Sequence, residues 1–378
     1  MGAGTAYIVD GVRSPFCRRQ GSLAGIRPDD LAASTFNALQ ERTGIDPGAV
    51  EDVRLGVSTQ TAEQGLNLGR LVPLIAGWPV TVPGATVNRM CGSSLEAFME
   101  CTEAIMAGTH DLLVAGGVES MSRVPMLSDG ASFSEGLTDR YTIVPQGMSA
   151  ELIAERWNLS RERLDAFSLE SHRRAVAARA AGRFTAEIAP VEVGGRLVAE
   201  DEGPRPDTSL ERLASLAPAF RPDGRVTAGN SSQITDGASA LLVASENALK
   251  THRLTPRARV VALSRVGVDP VIMLTGPIPA TQRILERTGL TLDDMDVVEI
   301  NEAFASVVLA WGEEFHPDWS RVNPNGGAIA LGHPLGATGG RLVLTALRQL
   351  EETGGRYALV TICIGWGMGL AAIIERIS

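Results

Sequence analysis

Apolar residues recur along this chain with two alternating periods. Leu95, Phe98, Met99, Thr102 and Ile105 share one face of a helical wheel and predict a helix from Ser94 to Met106. The apolar run Leu112-Leu113-Val114-Ala115 behind it reads as a buried strand. The same succession returns near the end of the chain. Leu342, Leu344, Ala346 and Leu347 fall in a predicted helix from Thr338 to Leu350, followed by the strand Ala358-Leu359-Val360-Thr361. Further strands are predicted at Ala85-Thr86-Val87 and at 297–300, the latter ahead of a helix from Ala303 to Trp311. A helix pair, Ser149 to Arg156 and Arg161 to Ala181, stands apart from this alternation. Strands alternating with helices specify an α/β fold with a parallel or mixed sheet.

The alternation is duplicated. Leu39-Gln40-Glu41-Arg42-Thr43-Gly44-Ile45 reads against Ile284-Leu285-Glu286-Arg287-Thr288-Gly289-Leu290 at an offset of 245 residues. Val50-Glu51-Asp52-Val53 falls opposite Met295-Asp296-Val297-Val298 at the same offset. Each copy reads as a helix closed by glycine, a turn, an acidic cap and a strand. The expected fold is therefore two duplicated α/β halves with mixed sheets packed together. Residues 119–235 have no counterpart and carry turn formers and charge, as in Glu200–Asp207, so they read as an inserted loop subdomain. The expected division is 1–118 with 236–254, then 119–235, then 255–378. At nearly the same offset, Cys91 falls on Ala337, inside the glycine-rich segment 332–340. A pseudo-twofold relation between the halves would bring the Cys91 and His333 loops to one central site.

Those loops hold the candidate chemistry. Cys91 lies between the predicted strand at 85–87 and the turn Gly92-Ser93-Ser94. A thiol there is expected at an exposed pocket edge, where a helix N-terminus favours the thiolate. Its own N–H points the same way and could hold an oxyanion. His333 stands among Gly326, Gly327, Gly332, Gly336, Gly339 and Gly340. Near a thiol it would act as a base, and otherwise it caps a turn. Asn301 ends a predicted strand, either as a plain helix cap or as a site residue. Cys363 ends another strand, before Gly365 and Gly367, and offers a second thiol for acid/base work. Cys101 reads as helix packing, and Cys17 carries no argued role. No GxSxG elbow and no GxGxxG fingerprint is present, which removes that type of serine hydrolase and a dinucleotide fold.

Composition narrows the function classes. With 34 basic against 44 acidic residues the net charge is −10, which argues against a nucleic-acid binder and against an anionic-membrane surface. It leaves room for a local basic patch that holds a phosphorylated ligand. Lys250 is the one lysine, at the end of a predicted helix, so Schiff-base chemistry and a P-loop lysine lack a candidate. The four cysteines show no CxxC and no zinc spacing, which fits a reducing compartment and no metal site. Met1–Thr5 does not start a secretion signal, and no apolar run spans a bilayer. A cytoplasmic protein without membrane insertion is expected.

The segments 87–94, 301–305, 326–340 and 363–369, in this order, resemble the motifs of the thiolase family, coenzyme A-dependent enzymes that make or cleave 3-ketoacyl-CoA. The resemblance covers essentially the whole chain, and it implies the family's duplicated fold with an inserted loop domain for coenzyme A. By resemblance, Cys91 is the nucleophile that takes the acyl group. His333 would activate it and, with a water held by Asn301, stabilise the thioester enolate. Cys363 would move the proton at the acetyl carbon, and the N–H groups of Cys91 and Gly365 would form a second oxyanion hole. Ser232 matches a serine near the pantetheine, and Arg205 an arginine at the nucleotide end of coenzyme A. No permanently bound cofactor is implied, with coenzyme A as co-substrate and acyl-CoA as substrate. The implied activity is that of an acetyl-CoA C-acyltransferase of fatty-acid degradation, a lean supported by the Cys-Gly-Ser-Ser turn. The alternatives are an acetyl-CoA C-acetyltransferase forming acetoacetyl-CoA and a non-catalytic lipid-binding relative. Trp366 departs from the family, which often has glycine there, and puts acyl chain length in question. The resemblance also implies a homodimer or homotetramer and docking with a hydratase–dehydrogenase subunit.

Overall fold

The computed structural model describes residues 4–130 and 132–377. Met1–Ala3, part of the segment read above as lacking a leader, lie outside the described residues. Twelve strands are formed there: β1 (Ala6–Arg13), β2 (Cys17–Arg18), β3 (Asp52–Gly56), β4 (Ala85–Val87), β5 (Leu112–Ser120), β6 (Val191–Val193), β7 (Arg196–Val198), β8 (Thr235–Ser245), β9 (Ala258–Gly267), β10 (Val297–Ile300), β11 (Tyr357–Ile364) and β12 (Met368–Arg376). Ten belong to one sheet, in the order β10-β11-β12-β9-β1-β8-β5-β3-β4, with β2 on β8. The remaining two, β6 and β7, form a separate hairpin.

The duplication is visible in the pairing. β3 runs parallel to β5, β5 antiparallel to β8, and β8 antiparallel to β1. β10 runs parallel to β11, β11 antiparallel to β12, and β12 antiparallel to β9. The two half-sheets join edge to edge through β1 and β9, where Tyr7 pairs with Arg259 and Ile8 with Ala258. The halves differ in one connection. β11 passes to β12 through Gly365, Trp366 and Gly367, whereas β5 reaches β8 only after residues 121–234.

Period-two burial then separates two faces. On β12, Leu370, Ala372 and Ile374 face one apolar cluster, while Ala371 and Ile373 face another. The helices Ser93–Met106 and Thr338–Thr353 fill the first face, packing against each other and against strands of both halves. Pro28–Thr43 covers the other face of the first half and Pro277–Thr288 that of the second. Gly44 and Gly289 close these two outer helices at φ 65° and 69°, in the left-handed region where a Cβ is disfavoured. Among the described residues no helix is long and apolar enough to cross a membrane.

One predicted element shifts. The helix expected from Ala303 spans Ala305–Phe315, because Phe304 is extended (φ −145°) and bridges Ser231. Asn301 and Glu302 therefore sit on extended chain beyond β10, and Asn301 is not a helix cap.

Candidate active site

The two inner helices start against each other. Gly340 N–H donates to Ser94 Oγ at 3.0 Å, and a Cβ on Gly339 would collide with the Leu95 backbone. This contact brings the turn before the first helix, which holds Cys91, to the loop before the second, which holds His333. The Cys91 turn is tight. Met90 adopts φ 48° with its N–H donated to Asn88 Oδ1 at 2.9 Å, and Ser93 Oγ accepts the Arg89 N–H at 3.0 Å.

Cys91 is buried, which corrects the expectation of a thiol exposed at a pocket edge. Residues of the segment 121–234 account for this, since Met126, Val144, Gln146 and Phe220 enclose the space above it. Burial pushes the thiol up to about 11. The Gly365 N–H, the Gln146 side chain and the Cys91 N–H all reach the sulfur and pull in the other direction. So the free-enzyme thiolate expected from a helix terminus is outweighed by desolvation. Cys363, at the end of β11, is fully buried, and its thiol is raised by burial and by the nearby Cys91. Cys91, Cys363 and Gly365 thus form one group.

His333 and Asn301 form the second. The Thr338 hydroxyl donates to the Pro334 carbonyl at 2.9 Å, so His333 Nδ1–H donates to Thr338 Oγ1 at 2.7 Å. Nε2 is then the unprotonated nitrogen, and Asn301 Nδ2 meets it at 3.3 Å. Burial, together with Arg341, pushes His333 down to about 3, which keeps the imidazole neutral. The Oδ1 atom of Asn301 is buried with no partner in the protein. Leu335, two residues past His333, lines the cavity above Cys91 as well as the cavity that His333 lines.

These two cavities, of about 240 and 520 Å³, also share Met126, Gln146, Phe220 and Phe304. The larger leads outward past Ser232 to Arg18, Arg19 and Arg205. Among its described lining residues there are three arginines and no carboxylate, in a chain of net charge −10. Arg205 is exposed, and its N–H donates to His172 Nδ1 at 3.1 Å. Ser232 is half-buried, with its N–H on the Ala303 carbonyl at 2.9 Å. The structure therefore sets Ser232 and His333 in the lining of one cavity, with the His333 N–H on the carbonyl of Gln233 at 3.1 Å, and leaves Arg205 exposed in the same lining.

Four residues at the site receive no role from the sequence alone, although Glu302 stands in the polar cluster at 301–304. Gln146 and Thr338 are named above. Glu302 is fully buried and accepts from Ser171 Oγ (2.6 Å), Asn323 Nδ2 (2.9 Å) and Ile329 N–H (3.2 Å), which fixes the chain next to Asn301. Glu119, next to the end of β5 and also buried, accepts the Gly336 N–H of the His333 loop and the Ser58 N–H, and Ser58 in turn accepts from Asn88 beside the Cys91 turn. A carboxylate closing an otherwise apolar strand is the signal that could have marked Glu119. Gln146 has no such signal. All four cysteines are free, and among the described residues no group of His, Cys, Asp and Glu could hold a metal ion.

Comparison with known proteins places the whole chain in one family. Residues 6–247 match the model of the thiolase N-terminal domain, and residues 254–376 that of the thiolase C-terminal domain. A steroid 3-ketoacyl-CoA thiolase of Mycobacterium tuberculosis is 51% identical over 98% of this chain and 94% of its own length. A beta-ketoadipyl-CoA thiolase of Acinetobacter baylyi is 46% identical over 98% and 99%. The crystal structure of human mitochondrial 3-ketoacyl-CoA thiolase superposes with a TM-score of 0.92 at 38% identity, covering 99% of both chains. That of the Bacillus anthracis acetyl-CoA acetyltransferase gives 0.93 at 36% identity, covering 100% of both.

Proposed function

The chain belongs to the thiolase family, a 3-ketoacyl-CoA thiolase that uses coenzyme A as substrate, and on that premise we propose that it works in the degradative direction through an acyl group carried on Cys91. The observation that carries this reading is the cavity of about 240 Å³ above the Cys91 thiol, lined largely by apolar side chains. An enzyme confined to acetyl groups has no use for that space. A group of longer chain would fill it and be held by the burial of its methylenes, each contributing about 0.8 kcal/mol.

The steps follow from the arrangement. Cys91 gives its proton to Nε2 of His333, and the sulfur attacks the 3-keto carbon. The oxyanion lies between the N–H groups of Cys91 and Gly365. The C2–C3 bond breaks, and its electron pair becomes the thioester enolate beside His333 and Asn301. Cys363 protonates that carbon, and acetyl-CoA leaves. The incoming coenzyme A thiol gives its proton to the Cys363 thiolate and attacks the acyl-cysteine. Released Cys91 recovers the proton from His333. Such covalent transfer predicts ping-pong kinetics. Coenzyme A would enter over the segment 119–235, with its pantetheine beside Ser232 and its phosphates toward Arg205, Arg18 and Arg19. Assembly into a homodimer or homotetramer is part of the same reading.

The test is coenzyme A-dependent thiolysis of acetoacetyl-CoA and of 3-ketohexadecanoyl-CoA, followed by loss of the enolate absorbance, beside Cys91→Ala. Cleavage of the long substrate by the native enzyme alone is expected. Cleavage of acetoacetyl-CoA only would favour the acetyltransferase reading, and full activity in Cys91→Ala would overturn the mechanism.

A further inference from the structure

The geometry points to a substrate class: this thiolase takes acyl groups that are uncharged and apolar to their end, and it rejects those ending in a carboxylate. The inference rests on the proposed role of Cys91 as acyl carrier. Its basis is how charge is divided between the two adjoining cavities, which share Met126, Gln146, Phe220, Phe304 and Leu335 and of which the inner one holds Cys91. The outer one carries three arginines, suited to an anionic ligand. The inner one, where an acyl group on Cys91 would lie, is lined among the described residues by no charged side chain at all. This holds in a chain with 34 basic and 44 acidic residues.

The inner wall consists of Met126, Leu127, Val144, Phe220, Met273 and Trp366. Its polar side chains are those of Cys91, of Gln146, already turned to the Cys91 sulfur, and of Trp366. None is a cation. Trp366 is held in the wall by Phe133, the two rings meeting edge to face at 5.2 Å. Met126, Leu127, Phe220 and Trp366 also reach solvent, so a terminal carboxylate held against this wall would lose part of its water without gaining a counter-ion, which is unfavourable. An alkyl or alicyclic end gains from the same surface. Where a 3-keto diacid is the natural substrate, a fixed arginine or lysine at this wall would be expected, and the chain places its arginines elsewhere.

The experiment pairs two substrates of equal carbon count, 3-oxohexanoyl-CoA and 3-oxoadipyl-CoA, which differ only in the terminal carboxylate. The full-length enzyme should cleave the first with kcat/KM about 100-fold or more above the second, the order expected for burying an unpaired charge. Rates within about tenfold of each other would overturn the inference while leaving the thiolase reading intact. Cleavage of neither would remove that reading and this one together. As a second measurement, Leu127→Arg sets a guanidinium at the exposed rim of the inner cavity. The ratio of the two kcat/KM values should move toward 3-oxoadipyl-CoA by about tenfold or more. A ratio is insensitive to partial loss of folded enzyme, and an unchanged ratio would overturn the inference.

Discussion

The Glu119 carboxylate accepts the Gly336 N–H at 2.9 Å, and through this bond the end of β5 holds the loop that carries His333. The same carboxylate accepts the N–H groups of Ser58 (2.9 Å) and Thr59 (3.0 Å) and the amide of Gln64 (2.7 Å). Ser58 in turn accepts from Asn88 Nδ2 at 2.9 Å, and Asn88 Oδ1 takes the Met90 N–H, next to Cys91. One buried group thus links the Cys91 turn to the His333 loop.

Glu119→Gln tests that role. The amide turns a donor toward a donor, and each unsatisfied buried N–H costs about 1–3 kcal/mol. A lower melting temperature is expected, with kcat reduced about 10- to 100-fold through misplacement of the loops and KM for coenzyme A little changed. A lowered melting temperature with native kcat at assay temperature would make Glu119 structural only.

Most of the candidate site was legible because each proposed catalytic residue marks a change of period. Cys91, Asn301, His333 and Cys363 all stand beside a strand end, a helix start or a glycine run, and periodicity locates such junctions. The duplication was legible for the same reason, since equal halves repeat the same junctions 245 residues apart, as at Gly44 and Gly289. What covers the site was not. Gln146 and Phe220 come from the one segment without a counterpart, and no local pattern says which loop folds over which thiol. The burial of Cys91 follows from that cover, so its thiol was misjudged as exposed. The join of β1 to β9 rests on two residue pairs, too few to leave a trace in composition.

The protonation of Cys91 is a direct consequence of the cover. With Cys91 pushed up to about 11 and His333 down to about 3, thiol and imidazole are both uncharged at neutral pH. Alkylation of the free enzyme by iodoacetamide, read at Cys91 by mass spectrometry, should rise about tenfold per pH unit from about pH 6 to about pH 9. A plateau beginning near about pH 6.5 would instead reveal a preformed thiolate–imidazolium pair.

Two buried histidines make the fold sensitive to acid. Burial lowers His333 to about 3, and burial with Arg205 nearby lowers His172 to about 4. Both folded values lie below that of an unfolded histidine, so the unfolded chain takes up protons first. The stability they contribute is complete above about pH 6.5 and is lost as pH falls through the folded values, at about 1.4 kcal/mol per unit per group. His172→Gln should flatten the fall in urea-unfolding free energy between about pH 6 and about pH 4 relative to the native protein. An equal slope in both would show that His172 is not held neutral.

Trp366 joins a backbone cost to a functional wall. It adopts φ 67° in the turn between β11 and β12, followed by Gly367 at φ 84°, a conformation that non-glycine residues reach at about 1–2 kcal/mol. Comparing Trp366→Gly with Trp366→Ala isolates that term, since both lose the indole and its contact with Phe133. The glycine variant should be more stable by about 1 kcal/mol, measured by denaturant unfolding. Both variants open the same wall of the acyl cavity, so both should shift kcat/KM toward bulkier acyl groups to a similar extent. If alanine equals glycine in stability, the turn is not strained. If neither shifts the acyl preference, the indole is not the surface that the acyl group meets.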